Sequence, residues 1–341
     1  MSGDRLLVLS MGDPAGIGPE VLLKAAARWM AERRPGRLLA VAPPSWLDGL
    51  RRRLGLELRL VVDDGTRARP DGLTLAPWPP PVEEDPPTDL LIHEKEPTPP
   101  ALPAPSLAGG ILAWLSLAAA VDIVGRDPVR RALVTAPVCK ESLARAGFRW
   151  PGHTEYLGWR GGVADPLMWM CSPDLSVGLV SNHDPLARLP LAITAERVER
   201  KARLALAHLA RRHPGERLGV LALNPHAGDG GVLGGEEVEW LGPLLESMRR
   251  EGLPCDGPLS ADAALARGKG RLLAMYHDQG LPVFKLVAGA AGVNTTLGLP
   301  FVRCSPGHGT AFDIAGQGRA DEGGLFAALA EAWRQLEDRA A

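Results

Sequence analysis

Three histidines stand directly after apolar segments, where the strands of a sheet would end. His183 follows LSVGLVSN, His226 follows LGVLALNP, and His277 follows RLLAMY. Open α/β sheets usually bind their ligands beyond the carboxyl ends of the strands, so these side chains could meet at one edge. Three neutral imidazoles with one carboxylate, from Asp262 or Asp278, are a common ligand set for Zn²⁺ or a similar divalent ion. The alternative is that each histidine merely caps its strand or binds a backbone carbonyl.

Two further groups of side chains could bind an anion. In GHTEYL, a glycine that lets the backbone turn precedes His153 and Thr154, although Thr154 could equally be the N-cap of a helix. Lys285, Asn294 and Arg303 recur at intervals of nine residues in a segment that is otherwise apolar and glycine-rich. An unpaired buried cation is costly, so we expect these three to pair internally or to face an anionic ligand.

The glycine-rich loops do not by themselves indicate a nucleotide site. MGDPAGIGPE joins a predicted strand to a predicted helix, but it is neither G-x-G-x-x-G nor a P-loop. HAGDGGVLGGEE, which begins at His226, could wrap a phosphate with backbone N–H groups or be a plain surface loop. The residues that would bind a dinucleotide cofactor therefore stay unassigned.

The elements that must position these residues follow from the apolar pattern. Residues 6–10 and 38–42 are predicted strands on either side of a helix in EVLLKAAARWMAERR, and strands and helices continue to alternate along the chain. This alternation predicts a layered α/β architecture. Eleven prolines in residues 77–105 predict an irregular segment there. His208 and His213 lie in a basic helical segment and are predicted to be solvated.

Composition excludes several classes of protein. The formal net charge is −2, from 38 Lys+Arg and 40 Asp+Glu, whereas nucleic acid or an anionic membrane requires a clustered surplus of cations. The 341 residues, 45% of them hydrophobic, suffice for two domains or one large α/β unit. Four widely spaced cysteines indicate reduced thiols, and neither a signal peptide nor a membrane span is apparent. We therefore expect a cytoplasmic protein.

Seven segments together resemble the 4-hydroxythreonine-4-phosphate dehydrogenase family of vitamin B6 synthesis. Between residues 11 and 316 they are MGDPAGIGPE, LVTAPVCKE, GHTEYL, LNPHAGDGG, AMYHDQGLPVFK, VNTTLGLPFVR and HGTAFDIAG, in the family's order. The resemblance implies an isocitrate/isopropylmalate dehydrogenase-like α/β/α fold over residues 1–341, with two interleaved subdomains around a cleft. It also implies a homodimer with the active site at its interface, NAD or NADP, and a divalent metal, with zinc ahead of magnesium or cobalt.

The resemblance also implies roles for individual residues. Its metal ligands fall on His183, His226 and His277, and Asp262 resembles the additional carboxylate. Its substrate contacts fall on His153, Thr154, Lys285, Asn294 and Arg303. The general base is expected among Lys285, His153, Asp262 and a metal-bound water, with Lys140 or Asp278 assisting. Departures from the family's usual pattern that could reshape the pocket are Cys139, Ser260, Ala263 and Gly307.

Three functional hypotheses follow from the resemblance. The first is NAD-dependent oxidation and decarboxylation of 4-phosphohydroxy-L-threonine to 3-amino-2-oxopropyl phosphate, in pyridoxal phosphate biosynthesis. The second is a paralogous dehydrogenase acting on a four-carbon sugar-acid phosphate or on an aromatic cis-dihydrodiol carboxylate. The third is a metal-binding regulatory or scaffold protein that kept the fold and lost turnover. Lys285 and Arg303 suit a phosphate, whereas a dihydrodiol needs a more apolar pocket.

Overall fold

The computed structural model describes residues 5–63, 71–80 and 103–340, so residues 81–102 of the predicted irregular segment lie outside it. The strands are β1 (Leu6–Ser10), β2 (Arg37–Val41), β3 (Leu60–Val62), β4 (Leu73–Leu75), β5 (Arg131–Thr135), β6 (Leu167–Cys171), β7 (Leu175–Ser181), β8 (Leu218–Leu221), β9 (Cys255–Leu259), β10 (Gly270–Tyr276), β11 (Val293–Leu297) and β12 (Val302–Pro306). The helices are α1 (Gly18–Ala31), α2 (Pro44–Arg53), α3 (Leu107–Gly125), α4 (Lys140–Arg145), α5 (His153–Arg160), α6 (Leu189–Ala192), α7 (Ala195–Arg212), α8 (Gly242–Arg250), α9 (Ala261–Leu265), α10 (His277–Ala288) and α11 (Gly323–Ala340). The predicted α/β class is confirmed.

The chain divides into two compact units, the first made of two chain segments and the second of one. The first unit contains Met1–Ala164 and Leu299–Ala341, and the second unit contains Asp165–Gly298. The second unit is therefore an insertion in the sequence of the first.

The first unit is built on a parallel sheet. Its strand order is β3-β4-β2-β1-β5-β12, and every neighbouring pair is parallel. Parallel sheets have both faces covered, which explains why β1 is an uninterrupted apolar run that is buried along its whole length. Helix α3 packs against β1, β2 and β5, and α11 packs against β1, β5 and β12.

Helix α3 is apolar on all sides because it is a core helix. By length and composition alone this helix could cross a membrane, although sequence analysis identified no membrane span. However, 83% of its apolar window is buried inside the protein. A serine of this helix and the serine at its N-cap form hydrogen bonds with backbone groups of the protein. The Ser106 hydroxyl caps the helix by accepting from the backbone N–H of Gly109, and the Ser116 hydroxyl accepts from Met11 N–H at 2.9 Å and donates to the Val41 carbonyl at 2.6 Å.

The second unit has a mixed sheet whose parallel half carries the strand-end histidines. Its order is β11-β6-β7-β10-β8-β9, with antiparallel pairs from β11 to β7 and parallel pairs from β7 to β9. Parallel strands end at the same edge. The chain segments that follow β7, β8, β9 and β10 therefore leave the sheet at one edge, and they carry His183, His226, Asp262 and His277.

The prediction that His208 is solvated is wrong. It lies on the buried face of α7, with 7% of its surface exposed and its ring centroid 6.0 Å from that of Trp169. Of the basic residues beside it in the sequence, Arg211 is exposed and Arg212 is half-buried. Burial, helped by nearby positive charge such as that of Arg212, lowers the pKa of His208 to about 3.

We expect His208→Gln to weaken the dependence of stability on acid pH. A histidine whose pKa is lowered in the folded state binds a proton more readily when unfolded. The free energy of unfolding should therefore fall as pH drops from the ordinary value of 6.5 toward about 3. One such group contributes a slope of up to about 1.4 kcal/mol per pH unit, which the variant should lose.

Urea unfolding between about pH 4 and pH 6 measures that slope for the wild type and the variant. His213→Gln, at the end of the same helix, is the matched control, because His213 is partly exposed. Equal slopes in the wild type and in His208→Gln would contradict the prediction.

Candidate active site

His183 and His277 lie side by side because their strands pair in parallel. The register of β7 and β10 sets Tyr276 opposite Ser181, so both histidines follow the last pair within two residues. Their ring centroids are 6.3 Å apart and their planes are inclined by 34°. His183 is exposed and His277 is half-exposed, so both rings are accessible to a ligand.

The ring of His277 is oriented by its neighbour. Nδ1 of His277 lies 2.6 Å from Oδ1 of Asp278, in hydrogen-bond contact. A histidine whose first nitrogen is held by a carboxylate presents the second nitrogen to a ligand, which is the usual arrangement around metal-binding histidines. The structure therefore places Asp278 behind the ring of His277.

His226 lies with Asp262 at a different part of the same edge. Both side chains line a cavity of about 440 Å³, together with Tyr276 and Gln279. His226 begins a short run of left-handed residues, with φ of 53° at His226 itself. The pKa of Asp262 is lowered chiefly by a hydrogen bond from the Ser260 hydroxyl, and also by the proximity of His226.

Glu237 fixes the start of the loop that carries His226. Its Oε1 accepts the backbone N–H groups of Leu223 and Asn224, both at 2.8 Å, and its Oε2 accepts from Nδ2 of Asn224 at 2.9 Å. Burial raises the pKa of this carboxyl, but the hydrogen bonds outweigh burial and the net shift is downward. Sequence reasoning missed Glu237, because no spacing distinguishes it from the neighbouring glutamates.

The predicted metal ligands form two pairs. In the part of the chain that the structure describes, no three histidine, cysteine, aspartate or glutamate side chains are grouped so that they could hold one ion together. His183 pairs with His277, and His226 shares a cavity with Asp262. Imidazoles and a carboxylate converging from one sheet edge nevertheless have the donor chemistry that suits a divalent ion of the zinc class.

Arg303 is a buried cation in the first unit. It lies on β12 with 3% of its surface exposed, and its Nη2 donates to Oγ1 of Thr135, at the end of β5, at 2.8 Å. Burial lowers the pKa of the Arg303 guanidinium to about 10, so it still carries its charge at neutral pH. Thr135 had no signal in the sequence, since only the pairing of β5 with β12 brings it to Arg303.

His153 and Thr154 open α5 and are both buried. The alternative in which Thr154 is the N-cap is wrong, because Gly152 holds that position in an extended conformation. Burial, followed by the charges of Arg303 and Lys140, lowers the pKa of His153 to about 3. The Nε2 of His153 is buried without a hydrogen-bond partner. His153 is thus a neutral imidazole with an unused polar atom in positively charged surroundings.

Lys285 and Asn294 belong to the second unit and differ from Arg303 in burial. Of the three, only Arg303 is buried. Lys285 is exposed, because α10 turns Leu281 and Phe284 toward the core and leaves Lys285 on its outer face. Asn294 on β11 is half-buried.

Comparisons with known proteins agree on one family. The family model described as "Pyridoxal phosphate biosynthetic protein PdxA" matches residues 81–332. The chain is 41% identical to a 4-hydroxythreonine-4-phosphate dehydrogenase of Methylorubrum populi over 348 residues, covering 98% of this chain and 95% of that protein.

Two solved structures are similar to this chain over nearly its whole length. A 4-hydroxythreonine-4-phosphate dehydrogenase from Klebsiella pneumoniae superposes with a TM-score of 0.77 at 28% identity, covering 97% of this chain and 99% of that one. A terephthalate 1,2-cis-dihydrodiol dehydrogenase from Burkholderia xenovorans superposes with a TM-score of 0.62 at 25% identity, covering 97% of each chain.

Proposed function

This chain belongs to the family of the pyridoxal phosphate biosynthetic protein PdxA, and from that premise we propose that it oxidises 4-hydroxythreonine 4-phosphate with NAD or NADP. It is a dehydrogenase, as its relatives are. The proposed product, after loss of carbon dioxide, is 3-amino-2-oxopropyl phosphate, a precursor of pyridoxal phosphate. The observation that carries the substrate assignment is the buried cation Arg303 beside the neutral imidazole of His153.

The first unit offers a binding site for an anionic group. The Arg303 guanidinium is held by Thr135 and retains its charge, so it can bind two oxygens of a phosphate or carboxylate at once. His153 and Thr154 lie at the start of α5, where a neutral imidazole and a hydroxyl can each donate to an oxygen. Lys285 and Asn294 of the second unit are proposed as the remaining contacts with the substrate.

The second unit offers ligands for a divalent metal. We assign these to His183, His226 and His277 with Asp262, and we favour zinc over magnesium or cobalt because imidazole dominates the set. When bound, the ion supplies Lewis-acid polarisation of the substrate oxygen. Asp278 orients His277, and Glu237 orients the loop of His226.

The candidates for the general base are not equivalent. A base that works at neutral pH needs a pKa near that value, and the pKa of His153 is about 3. Protonating His153 would also place a third positive charge beside Arg303 and Lys140. We therefore assign His153 to binding and orientation. Asp262, whose pKa is also lowered, is assigned to the metal, and proton removal from the hydroxyl is assigned to Lys285.

We also propose a cytoplasmic homodimer with the active site at its interface. None of the four cysteines, all within the described residues, forms a disulfide, as expected of a reducing compartment. The second unit exposes several large apolar side chains that a partner subunit would cover, namely Leu186, Leu191, Val232 and Leu286. Sedimentation of the purified protein measures the oligomeric state.

A second candidate substrate is a cis-dihydrodiol of an aromatic carboxylate, as in the name of the Burkholderia xenovorans protein. Arg303 could bind its carboxylate, but the greater similarity to proteins named 4-hydroxythreonine-4-phosphate dehydrogenase favours the phosphorylated substrate. Steady-state kinetics with 4-hydroxythreonine 4-phosphate, unphosphorylated 4-hydroxythreonine and the terephthalate dihydrodiol separate the two. We expect the highest kcat/KM with the phosphorylated compound, and a higher value with the dihydrodiol would contradict the assignment.

A further inference from the structure

Strands β8 and β10 separate shortly before they reach the residues proposed to bind metal. Their parallel pairing places Leu272 opposite Gly219 and Leu273 opposite Val220. Continued in the same register, the ladder would set Met275 opposite Ala222. Within the described residues, direct pairing of these two strands ends at Leu273 and Val220. Something else must hold the strand ends at a fixed distance.

The side chain of Gln279 spans the gap between these strand ends. Its Oε1 accepts the backbone N–H of Met275, and its Nε2 donates to the backbone carbonyl of Ala222, each at 2.7 Å. Met275 and Ala222 are both buried, so the two backbone groups depend on protein partners. The amide of Gln279 therefore connects the two strand ends at residues that the continued register would set opposite each other.

The same connection extends to a third strand. The backbone N–H of Ala222 donates to the carbonyl of Leu259, the last residue of β9, at 2.8 Å. Asp262 follows Leu259 by three residues. The carbonyl of Ala222 thus accepts a hydrogen bond from Gln279, and its N–H donates a hydrogen bond to β9.

We propose that Gln279 is a positioning residue that sets metal affinity by holding the strand ends that precede His226, Asp262 and His277. The inference rests on the proposed function, because it takes these three side chains as ligands. Gln279 follows His277 by two residues in the first turn of α10 and also lines the cavity shared by His226 and Asp262. Removing its amide frees a buried N–H and a buried carbonyl, and the strand ends can then move apart.

Only a glutamine satisfies both backbone groups. A glutamate would offer an acceptor to the N–H of Met275 but would set a second acceptor against the Ala222 carbonyl. An asparagine is one methylene shorter and cannot reach both groups. Methionine has the length of glutamine without donor or acceptor strength, so Gln279→Met removes the two hydrogen bonds with little change in volume.

The test is the binding of Co²⁺ alone to the full-length protein, measured by competition with a chelator and by the visible absorption of the bound ion. We expect Gln279→Met to bind Co²⁺ about 10- to 100-fold more weakly than the wild type, with an altered absorption spectrum. Outer-shell partners of metal ligands typically have effects of this size. The spectrum reports coordination geometry, which a merely structural role would leave unchanged.

Ser172→Ala is the matched control. The Ser172 hydroxyl also makes two hydrogen bonds to the backbone, donating to the carbonyl of Leu175 at 2.9 Å and accepting its N–H at 3.3 Å. These bonds lie in the second unit at the opposite end of β7 from His183. We expect Ser172→Ala to keep the affinity and the spectrum of the wild type.

The outcomes separate this inference from the proposed function. If the wild type binds Co²⁺ and His277→Ala does not, while Gln279→Met binds as tightly as the wild type, only the role of Gln279 is overturned. Equal losses in Gln279→Met and Ser172→Ala would also overturn it, since general destabilisation would then suffice. If the wild type binds no Co²⁺, the metal site itself is contradicted and this inference with it. Should Gln279→Met fail to fold, Gln279→Asn decides between the same outcomes.

Discussion

Replacing His277 with alanine is expected to lower kcat/KM by about 10³-fold or more, because it removes one of three proposed imidazole ligands. His277 is the histidine whose ring is best prepared for ligation, with Nδ1 held by Asp278 at 2.6 Å and the ring of His183 beside it. Its side chain is 39% exposed, so its removal takes little packing from the core. The variant should therefore fold normally and lose bound metal and turnover together.

The measurement combines steady-state kinetics, metal content and circular dichroism. His213→Ala is a suitable control, because His213 is another partly exposed histidine of the second unit beside a carboxylate, with Nδ1 3.6 Å from Glu216. We expect that control to keep its activity. Wild-type turnover in His277→Ala would show that His277 is not a ligand that the reaction needs.

Replacing Arg303 with lysine is expected to lower kcat/KM for 4-hydroxythreonine 4-phosphate by about 10²-fold, mainly through a higher KM. Lysine keeps the positive charge but presents a single ammonium in place of a planar pair of donors. It also cannot both reach Thr135 as the guanidinium does and bind two oxygens of an anion. The loss should be much smaller for a substrate without the phosphate.

Arg271→Lys controls for the burial of an arginine. Arg271 is 6% exposed and lies in the second unit, where its guanidinium binds the backbone carbonyls of Asp174 and Pro173 and the carboxylate of Glu216. This variant should lose stability without a change in KM. If Arg303→Lys lowered stability but left KM unchanged, Arg303 would be a structural cation and the proposed anion site would be wrong.

The placement of His183 and His277 could be predicted from sequence because it depends on one local rule. Both follow short buried strands, and parallel neighbours in a sheet end at the same edge. The α/β class was predictable for a similar reason, since buried strands and periodic helices alternate along the chain. The return of the chain to the first unit at Leu299 could not be predicted, because no local signal in the sequence marks which strands become neighbours.

The residues that sequence reasoning misjudged depend on which face of an element they occupy. His208 is surrounded by arginines in the sequence, yet its position on α7 faces the core. Lys285 lies in an apolar segment, but that segment is a helix with an exposed face. Gln279 and Glu237 act on backbone groups whose proximity depends on strand register and loop path. The roles of Gln279 and Glu237 can therefore be recognised only from the three-dimensional structure.

The most direct test of the proposed function is reduction of NAD by the purified protein with 4-hydroxythreonine 4-phosphate, followed by the absorbance of the reduced nicotinamide. The assay is run before and after dialysis against a chelator, and again after Zn²⁺ or Co²⁺ is restored. We expect activity that the chelator removes and the metal restores, with 3-amino-2-oxopropyl phosphate as the product. A folded, metal-supplied protein that reduces neither NAD nor NADP with this substrate would contradict the proposed function.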